Sequence, residues 1–196
     1  MPKIELDKEI DLEEVLNFAT EKHKGQKRDD GNDYIIHPIR VAKLVDEFKG
    51  KYSTNRKVLL AAAFLHDTLE DTNTSYKELV DNFGEVVASL VLELTTAKYA
   101  CHYIGKAQYL AEKMQHMTSY ALTIKLADRL DNIMDLKGCR PEKKTKMIND
   151  TVYILNYLEK NRKLTKSQIA ISNAIKDKIE SYKKVETRWL KQFKNY

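Results

Sequence analysis

The sequence is poor in cysteine, which excludes a fold held together by several disulfide bonds. Its 196 residues include only Cys101 and Cys139, which allow one bridge at most, and neither belongs to a Cys-x-x-Cys pair. No apolar run approaches the length that crosses a bilayer, and the first nine residues contain no apolar segment typical of a signal peptide. We therefore predict a cytoplasmic chain with free thiols and no membrane association.

The sequence also lacks any convincing stretch with the period-two alternation of a half-buried strand, and it has no internal repeat or low-complexity segment. Helix signals are frequent instead. Asp11 is a typical N-cap, Ser75 begins a capping box, and Pro38 and Pro141 suit the first turn of a helix. We predict an all-α fold with these helix limits: a stop at Gly25, an end at Gly50, a start at Ser53 or Thr54, one helix over about Ile104 to Met117, and a start at Thr118 or Ser119.

The C-terminal part of the sequence is set apart by a polar break over residues 161–166. Beyond the break, apolar residues recur near one helical face: Ile175, Ile179, Tyr182, Trp189 and Phe193. We expect this stripe to pack on the chain's own core, with a partner-binding helix as the alternative. The sequence thus predicts a first domain over residues 1–160 and a C-terminal helical extension over residues 161–196. It leaves open whether the chain forms a homo-oligomer.

Charge is distributed unevenly along the chain. Residues 1–100 carry a net charge of −5, and residues 101–196 carry a net charge of +10. The basic half suits an anionic substrate, or it forms an ordinary solvated surface. Because its lysines are scattered and not clustered, we do not expect a nucleic-acid partner.

The densest group of chemically active residues is the segment His66-Asp67-Thr68-Leu69-Glu70-Asp71. It follows a run over residues 58–65 that is apolar on every side and predicts a helix buried all round. A solvated acidic turn is the simpler interpretation of such a helix end. A metal site is favoured because buried charges are costly unless they are paired or bind a metal. If the helix continues past Asp67, Glu70 and Asp71 lie one turn beyond the first two residues.

Two further segments offer ligands for the same metal. His37 stands at the entrance of a predicted helix, and Asp128 lies among apolar neighbours four residues before Asn132. A salt bridge with Lys125 or Arg129 is the alternative role for Asp128. Two imidazoles and two carboxylates make a mixed site that suits Mn²⁺ or Fe²⁺ and admits Zn²⁺. The candidate ligands are His37, His66, Asp67 and Asp128.

These segments resemble the HD superfamily of metal-dependent phosphohydrolases, and within it the hydrolase domain of RelA/SpoT-type alarmone enzymes. The similarity is greatest to the single-domain small alarmone hydrolases of the metazoan SpoT homologue type. Three segments between about residues 15 and 136 carry the resemblance: His23 to Pro38, His66 to Asp71, and Lys125 to Asn132. The resemblance implies an HD-domain helical bundle with hydrolase activity alone.

The resemblance also implies the chemistry of the site. One Mn²⁺ would be held by the four candidate ligands, and the substrate would be a nucleotide, (p)ppGpp. Glu70 and Asp71 would activate and orient the attacking water, while Arg28, Asn132 and Lys125 would contact the nucleotide. The implied reaction removes the 3′-pyrophosphate and gives GDP or GTP together with pyrophosphate.

The sequence departs from the family's pattern at several positions. Asp29 stands where a second basic residue is usual, and Asp33 stands where proline usually precedes the tyrosine. An Arg-Lys pair of the family is only partly matched by Lys106, Gln108 and Lys113. Because of Asp29, a phosphatase acting on NADPH or another phosphorylated nucleotide is kept as the alternative. A module that binds a nucleotide without cleaving it is a third interpretation, and the intact water-activating pair argues against it.

Overall fold

The computed structural model describes residues 6–49 and 53–193, apart from the side chains of residue 137 and of residues 185–193. Within these ranges the chain is helical and contains no strand, and one isolated antiparallel bridge joins Lys27 to Asp33. The predicted all-α fold is therefore confirmed. The helices are α1 Leu12–Lys22, α2 Ile36–Lys49, α3 Arg56–Leu65, α4 Thr68–Asp71, α5 Tyr76–Phe83, α6 Glu85–Leu94, α7 Lys98–Ile104, α8 Lys106–His116, α9 Ser119–Met134, α10 Pro141–Asn161 and α11 Lys166–Phe193, with a short 3-10 helix at Leu136–Gly138.

Two helices are buried on nearly every side and form the centre of the domain. In α3 every residue from Val58 to Leu65 except Phe64 is buried, as the continuous apolar run predicts. In α9 the residues from Tyr120 to Asp131 are all buried, although several of them are charged. Helices α3 and α9 pack against each other and both pack against α2. Polar residues on these three helices therefore meet in the interior of the domain.

The predicted helix starts are confirmed where a side chain caps the helix. The Asp11 carboxylate accepts a hydrogen bond from the Glu13 N–H at 2.8 Å, and the Ser75 hydroxyl accepts one from the Glu78 N–H at 3.1 Å. Pro141 occupies the first turn of α10. These caps are local interactions, and for this reason the sequence alone identifies them.

Other helix limits differ from the prediction. Helix α1 ends at Lys22, and Gly25 lies in the following turn with a φ of 82°. Helix α3 begins at Arg56, not at Ser53 or Thr54. The helix expected over about Ile104 to Met117 is confirmed as α8, while the preceding helix α7 was not predicted; Gly105, at a φ of 84°, turns the chain between the two helices. The end expected at Gly50 lies outside the described residues.

The C-terminal helix α11 packs on the chain's own core, as expected. It lies against α9 and α2 and buries Ile171, Ile175 and Ile179 in the common core. The Tyr182 hydroxyl donates a hydrogen bond to the Ile133 carbonyl at 3.1 Å. The predicted stripe also includes two residues after position 184, whose side chains lie outside the described part. Helix α11 therefore packs against α9, the helix that carries Asp128 and Asp131.

Neither a disulfide nor a membrane-spanning helix contributes to the described part of the fold. Cys101 and Cys139 are both free, as the sequence predicts. No helix in the described ranges combines the length and the apolar character that crossing a membrane requires.

Replacing Ile175 by alanine tests whether α11 is an integral part of the folded domain. The side chain is fully buried, so its truncation should lower the free energy of unfolding by about 2–5 kcal/mol. Chemical denaturation followed by circular dichroism measures this loss. Ile169→Ala on the same helix is the matched control, because that side chain is 47% exposed. Equal stabilities of the two variants would show that α11 contributes no packing to the domain.

Candidate functional site

His66 and Asp67 lie at a break between two helices. Helix α3 ends at Leu65, and α4 begins at Thr68 after a turn through the two residues between them. The Thr68 hydroxyl donates to the Leu65 carbonyl at 2.7 Å and closes this turn. The helix therefore does not continue past Asp67. The sequence placed Glu70 one turn further along the same helix only if it did, so that placement is wrong.

The imidazole of His66 is buried and presents one nitrogen without a partner. Its Nδ1 lies 2.8 Å from the Ala63 carbonyl oxygen. A carbonyl oxygen can only accept a hydrogen bond, so Nδ1 carries the proton and Nε2 keeps its lone pair. Nε2 is buried and makes no hydrogen bond with the described residues, although Oδ2 of Asp67 lies 3.1 Å away. An unpaired lone pair in the interior is the arrangement that a metal-ligating histidine requires.

His37 enters the same space from the first turn of α2. Its Nδ1 lies 2.6 Å from Oδ2 of Asp131, while its Nε2 lies 3.3 Å from Oδ1 of Asp128 and 3.6 Å from Oδ2 of Asp67. Burial favours the neutral ring, but hydrogen bonds to Asp128 and Asp131 outweigh it and raise the pKa of His37 to about 9. The proton on Nε2 thus occupies the place that a cation between the carboxylates would take.

The four ligands predicted from the sequence converge on one point. Donor atoms of His37, His66 and Asp128 all lie within 4.8 Å of one another. Oδ2 of Asp67 lies 3.1 Å from Nε2 of His66. Burial raises the pKa of the Asp67 carboxyl group, but the adjacent His66 outweighs it and holds that pKa below its ordinary value. Two ionised carboxylates and two imidazoles in the interior fit a divalent cation of the Mn²⁺, Fe²⁺ or Zn²⁺ type.

Asp128 also makes the salt bridge that was its alternative role. The Lys125 ammonium lies 3.0 Å from Oδ2, and the Asn132 amide donates to Oδ1 at 2.5 Å. Burial would raise the pKa of Asp128, but the charge of Lys125 holds it well below its ordinary range. Lys125 therefore neutralises a candidate ligand and lines the site, while Arg129 forms no such pair in the described part of the chain.

Sequence reasoning missed the groups that orient the candidate ligands. Asp131 is buried, and besides contacting His37 it accepts hydrogen bonds from Arg40 at 2.7 and 3.1 Å. The Tyr34 hydroxyl donates to Oδ2 of Asp67 at 2.6 Å. The spacing of three residues between Asp128 and Asp131 places both on one face of α9. That spacing could have indicated that Asp131 lies near the site. Its partner His37 on α2 is remote in sequence, so the contact itself could not be predicted.

The acidic pair lines a cavity of about 350 Å³ together with three of the candidate ligands, His37, Asp67 and Asp128. Oε2 of Glu70 accepts a hydrogen bond from the Thr96 N–H at 2.8 Å. The Asp71 carboxylate pairs with the Lys98 ammonium at 3.0 Å. We call this cavity the metal chamber, since three candidate ligands line it and the fourth, His66, contacts one of them, Asp67. Each acidic residue is held in place by a residue that follows α6.

The residues predicted to contact the nucleotide lie where the metal chamber meets a second groove of about 170 Å³. Asn132 lines both cavities, and Arg28 lines the groove. The Arg28 guanidinium is held by Asp135 at 2.7 Å and lies 3.4 Å from the Asn132 side-chain oxygen. Asp29, at the position where a basic residue is usual, forms an ion pair with Lys143. The negative charge of Asp29 at the groove is therefore offset by the positive charge of Lys143.

Comparisons with known proteins agree with this geometry. A family model described as HD domain matches residues 15–164. The guanosine-3′,5′-bis(diphosphate) 3′-pyrophosphohydrolase MESH1 of Xenopus tropicalis is 41% identical over 131 residues, which are 66% of this chain and 71% of that protein. The enzyme named guanosine-3′,5′-bis(diphosphate) 3′-pyrophosphohydrolase from Aquifex aeolicus is 39% identical over 153 residues, but the chain spans only 20% of its length.

A solved structure supports the fold independently. It is described as a metazoan ortholog of SpoT that hydrolyses ppGpp, and it superposes with a TM-score of 0.73 at 24% identity. The superposition covers 87% of this chain and 94% of the other. At this identity the likeness establishes the shared helical fold.

Substitutions at His66 and Asp131 separate a metal ligand from a residue that orients one. His66→Ala removes a donor atom, so we expect loss of stoichiometric metal in elemental analysis. Asp131→Ala leaves all four donors but frees the His37 ring, so metal should bind about 10- to 100-fold more weakly.

The control for both variants is His102→Ala, whose side chain is exposed and outside the site. Full metal retention in His66→Ala would contradict the ligand assignment. An unchanged metal dissociation constant in Asp131→Ala would contradict the orienting role alone.

Proposed function

The chain belongs to the HD domain family and groups within it with the RelA/SpoT-type hydrolases, and from this premise we propose that it is a (p)ppGpp 3′-pyrophosphohydrolase. Its reaction converts guanosine 3′,5′-bis(diphosphate) and water into GDP and pyrophosphate, and pppGpp into GTP and pyrophosphate. The observation that carries the proposal is the buried cluster of two imidazoles and two carboxylates, of which all but His66 line one cavity with an acidic pair. Relatives named for this reaction are about 40% identical over this region.

The proposed metal is Mn²⁺, held by His37, His66, Asp67 and Asp128. The mixture of imidazole and carboxylate donors supports this choice. When bound, such an ion withdraws charge from phosphoryl oxygens and makes coordinated water more acidic. The protein contributes fixed donor directions, because Nδ1 of each histidine is already engaged by an oxygen.

Glu70 is the proposed general base for the attacking water. The Thr96 N–H holds Oε2 of this residue, and because the residue lines the chamber its other carboxylate oxygen is the proposed proton acceptor. Asp71 orients the same water from the neighbouring position, and Lys98 fixes its carboxylate. The water attacks the phosphorus that carries the 3′-oxygen, the bond from that phosphorus to the 3′-oxygen breaks, and the ribose oxygen takes a proton.

The nucleotide binds across the metal chamber and the adjoining groove in this proposal. Lys125 lies beside the candidate ligands, where it limits repulsion between Asp128 and the substrate phosphates. Arg28 and Asn132 lie at the junction and contact the nucleoside. The ion pair between Asp29 and Lys143 removes part of the repulsion that an isolated carboxylate would exert on phosphates. This pairing weakens the sequence argument for an NADPH phosphatase.

Glu70→Gln tests the proposed base. Glutamine keeps an oxygen for the Thr96 N–H but cannot accept the proton of the water, so kcat should fall by roughly 10²- to 10⁴-fold. Steady-state kinetics with ppGpp measure the fall, and elemental analysis should find unchanged metal. Glu159→Gln on α10 is the control. If the Glu70→Gln variant loses its metal, Glu70 is a ligand and the division of roles is wrong.

The identity of the first product tests the reaction itself. With ppGpp and Mn²⁺ in H₂¹⁸O we expect GDP and pyrophosphate, with the label in pyrophosphate because water attacks phosphorus. Phosphorus NMR resolves both the products and the isotope shift. NADPH under the same conditions is the comparison substrate. Orthophosphate as the first product, or cleavage of NADPH without cleavage of ppGpp, would assign the chain to the alternative phosphatase function.

A further inference from the structure

Arg129 is a buried cation that forms no ion pair with the described residues. Its side chain lies on α9 directly after Asp128 and is 7% exposed. No carboxylate of the described residues lies within ion-pair distance of its guanidinium group, and its Nε has no hydrogen-bond partner. Its one hydrogen-bond contact is a long one of 3.5 Å from a terminal nitrogen to the sulfur of Met147.

This situation is unusual for a buried arginine and costly. A guanidinium group that loses its hydration shell normally gains a carboxylate or several carbonyl oxygens in exchange. The other buried charges on α9 follow that rule, since Lys125 pairs with Asp128 and Asp131 pairs with Arg40. Asp128 and Asp150 attract the Arg129 charge from a distance, but no described carboxylate forms an ion pair with it, so an external anion can serve as the direct partner.

The position of Arg129 indicates which anion can reach it. Its side chain lines the metal chamber, on whose rim Lys106 and Lys146 are exposed and form no ion pair among the described residues. The chamber therefore has an acidic side at the candidate ligands and, on α8, α9 and α10, a side with Lys106, Arg129 and Lys146 on which Asp150 is the acidic residue. An anion bound between them would be held at two places.

We propose that Arg129, assisted by Lys146, forms an anion subsite for the distal phosphate of the substrate's 3′-pyrophosphoryl group. This inference rests on the proposed function. One phosphate lies at the candidate ligands during the reaction, and a single bridging oxygen joins it to the second phosphate. The second phosphate must therefore lie in the same chamber. The planar guanidinium group suits it because its N–H groups can bind two phosphate oxygens at once.

Binding of inorganic pyrophosphate to the full chain tests the subsite directly. The protein is loaded with Mn²⁺, freed of excess metal by gel filtration, and titrated calorimetrically. Arg129→Met removes the charge while keeping an unbranched side chain, so the dissociation constant for pyrophosphate should rise about 10- to 100-fold. Arg56→Met is the matched control because Arg56 pairs with Asp46 outside the chamber, and it should bind like the wild type.

Thermal unfolding without pyrophosphate separates binding from a structural role. Because the buried charge has no partner to lose, Arg129→Met should unfold at or above the wild-type temperature. If this variant does not fold, Lys146→Met at the exposed rim decides, with an expected rise of about tenfold in the dissociation constant. The subsite is overturned if Arg129→Met, or Lys146→Met when the first variant does not fold, binds pyrophosphate as tightly as the wild type. It is also overturned if the wild-type chain binds no pyrophosphate.

The experiments distinguish failure of the subsite hypothesis from failure of the proposed function. A chain that binds pyrophosphate through Arg129 but leaves ppGpp intact retains the subsite and loses the proposed reaction. A chain that cleaves ppGpp, and whose Arg129→Met variant binds pyrophosphate as tightly as the wild type, retains the reaction and loses the subsite.

Discussion

The hydrogen bond between His37 and Asp131 is the interaction on which the site depends. It joins the first turn of α2 to α9 and determines which imidazole nitrogen faces the metal chamber. Asp131 is itself held by Arg40, and the neighbouring Asp135 is shared between Arg40 and Arg28. Positive and negative groups therefore alternate from the interior to the adjoining groove. This alternation is what allows so many charges to remain buried in an all-α domain.

The sequence predicted the parts of the molecule that local chemistry determines. The caps at Asp11 and Ser75 involve residues two or three positions apart, and the burial of α3 follows from its uninterrupted apolar run. The four candidate ligands were identified because an ionisable residue at the end or in the middle of an apolar helix requires compensation. The structure brings those ligands together, and their roles remain proposals.

The parts that sequence reasoning missed depend on contacts between distant segments. Arg40 and Asp131 are 91 residues apart, and Glu70 meets the Thr96 backbone across 26 residues. Neither contact leaves a periodic pattern in the chain, so neither can be predicted from a single sequence. The sequence placed His66 at the end of the apolar helix but left open whether the helix continued past Asp67, where the Thr68 hydroxyl closes a turn. Arg129 was considered only as a partner for Asp128, which Lys125 already provides.

The separation of the ligands along the chain has a consequence for biosynthesis. His37 and Asp131 are 94 residues apart. The segment of α9 that contains Asp128 and Asp131 therefore emerges from the ribosome long after His37 and His66. Until α9 is synthesised, the apolar surface of α3 lacks one of the helices that pack against it. Closing so long a loop is entropically costly and makes folding slow. The nascent chain therefore completes its set of candidate metal ligands late, when most of the domain has already been translated.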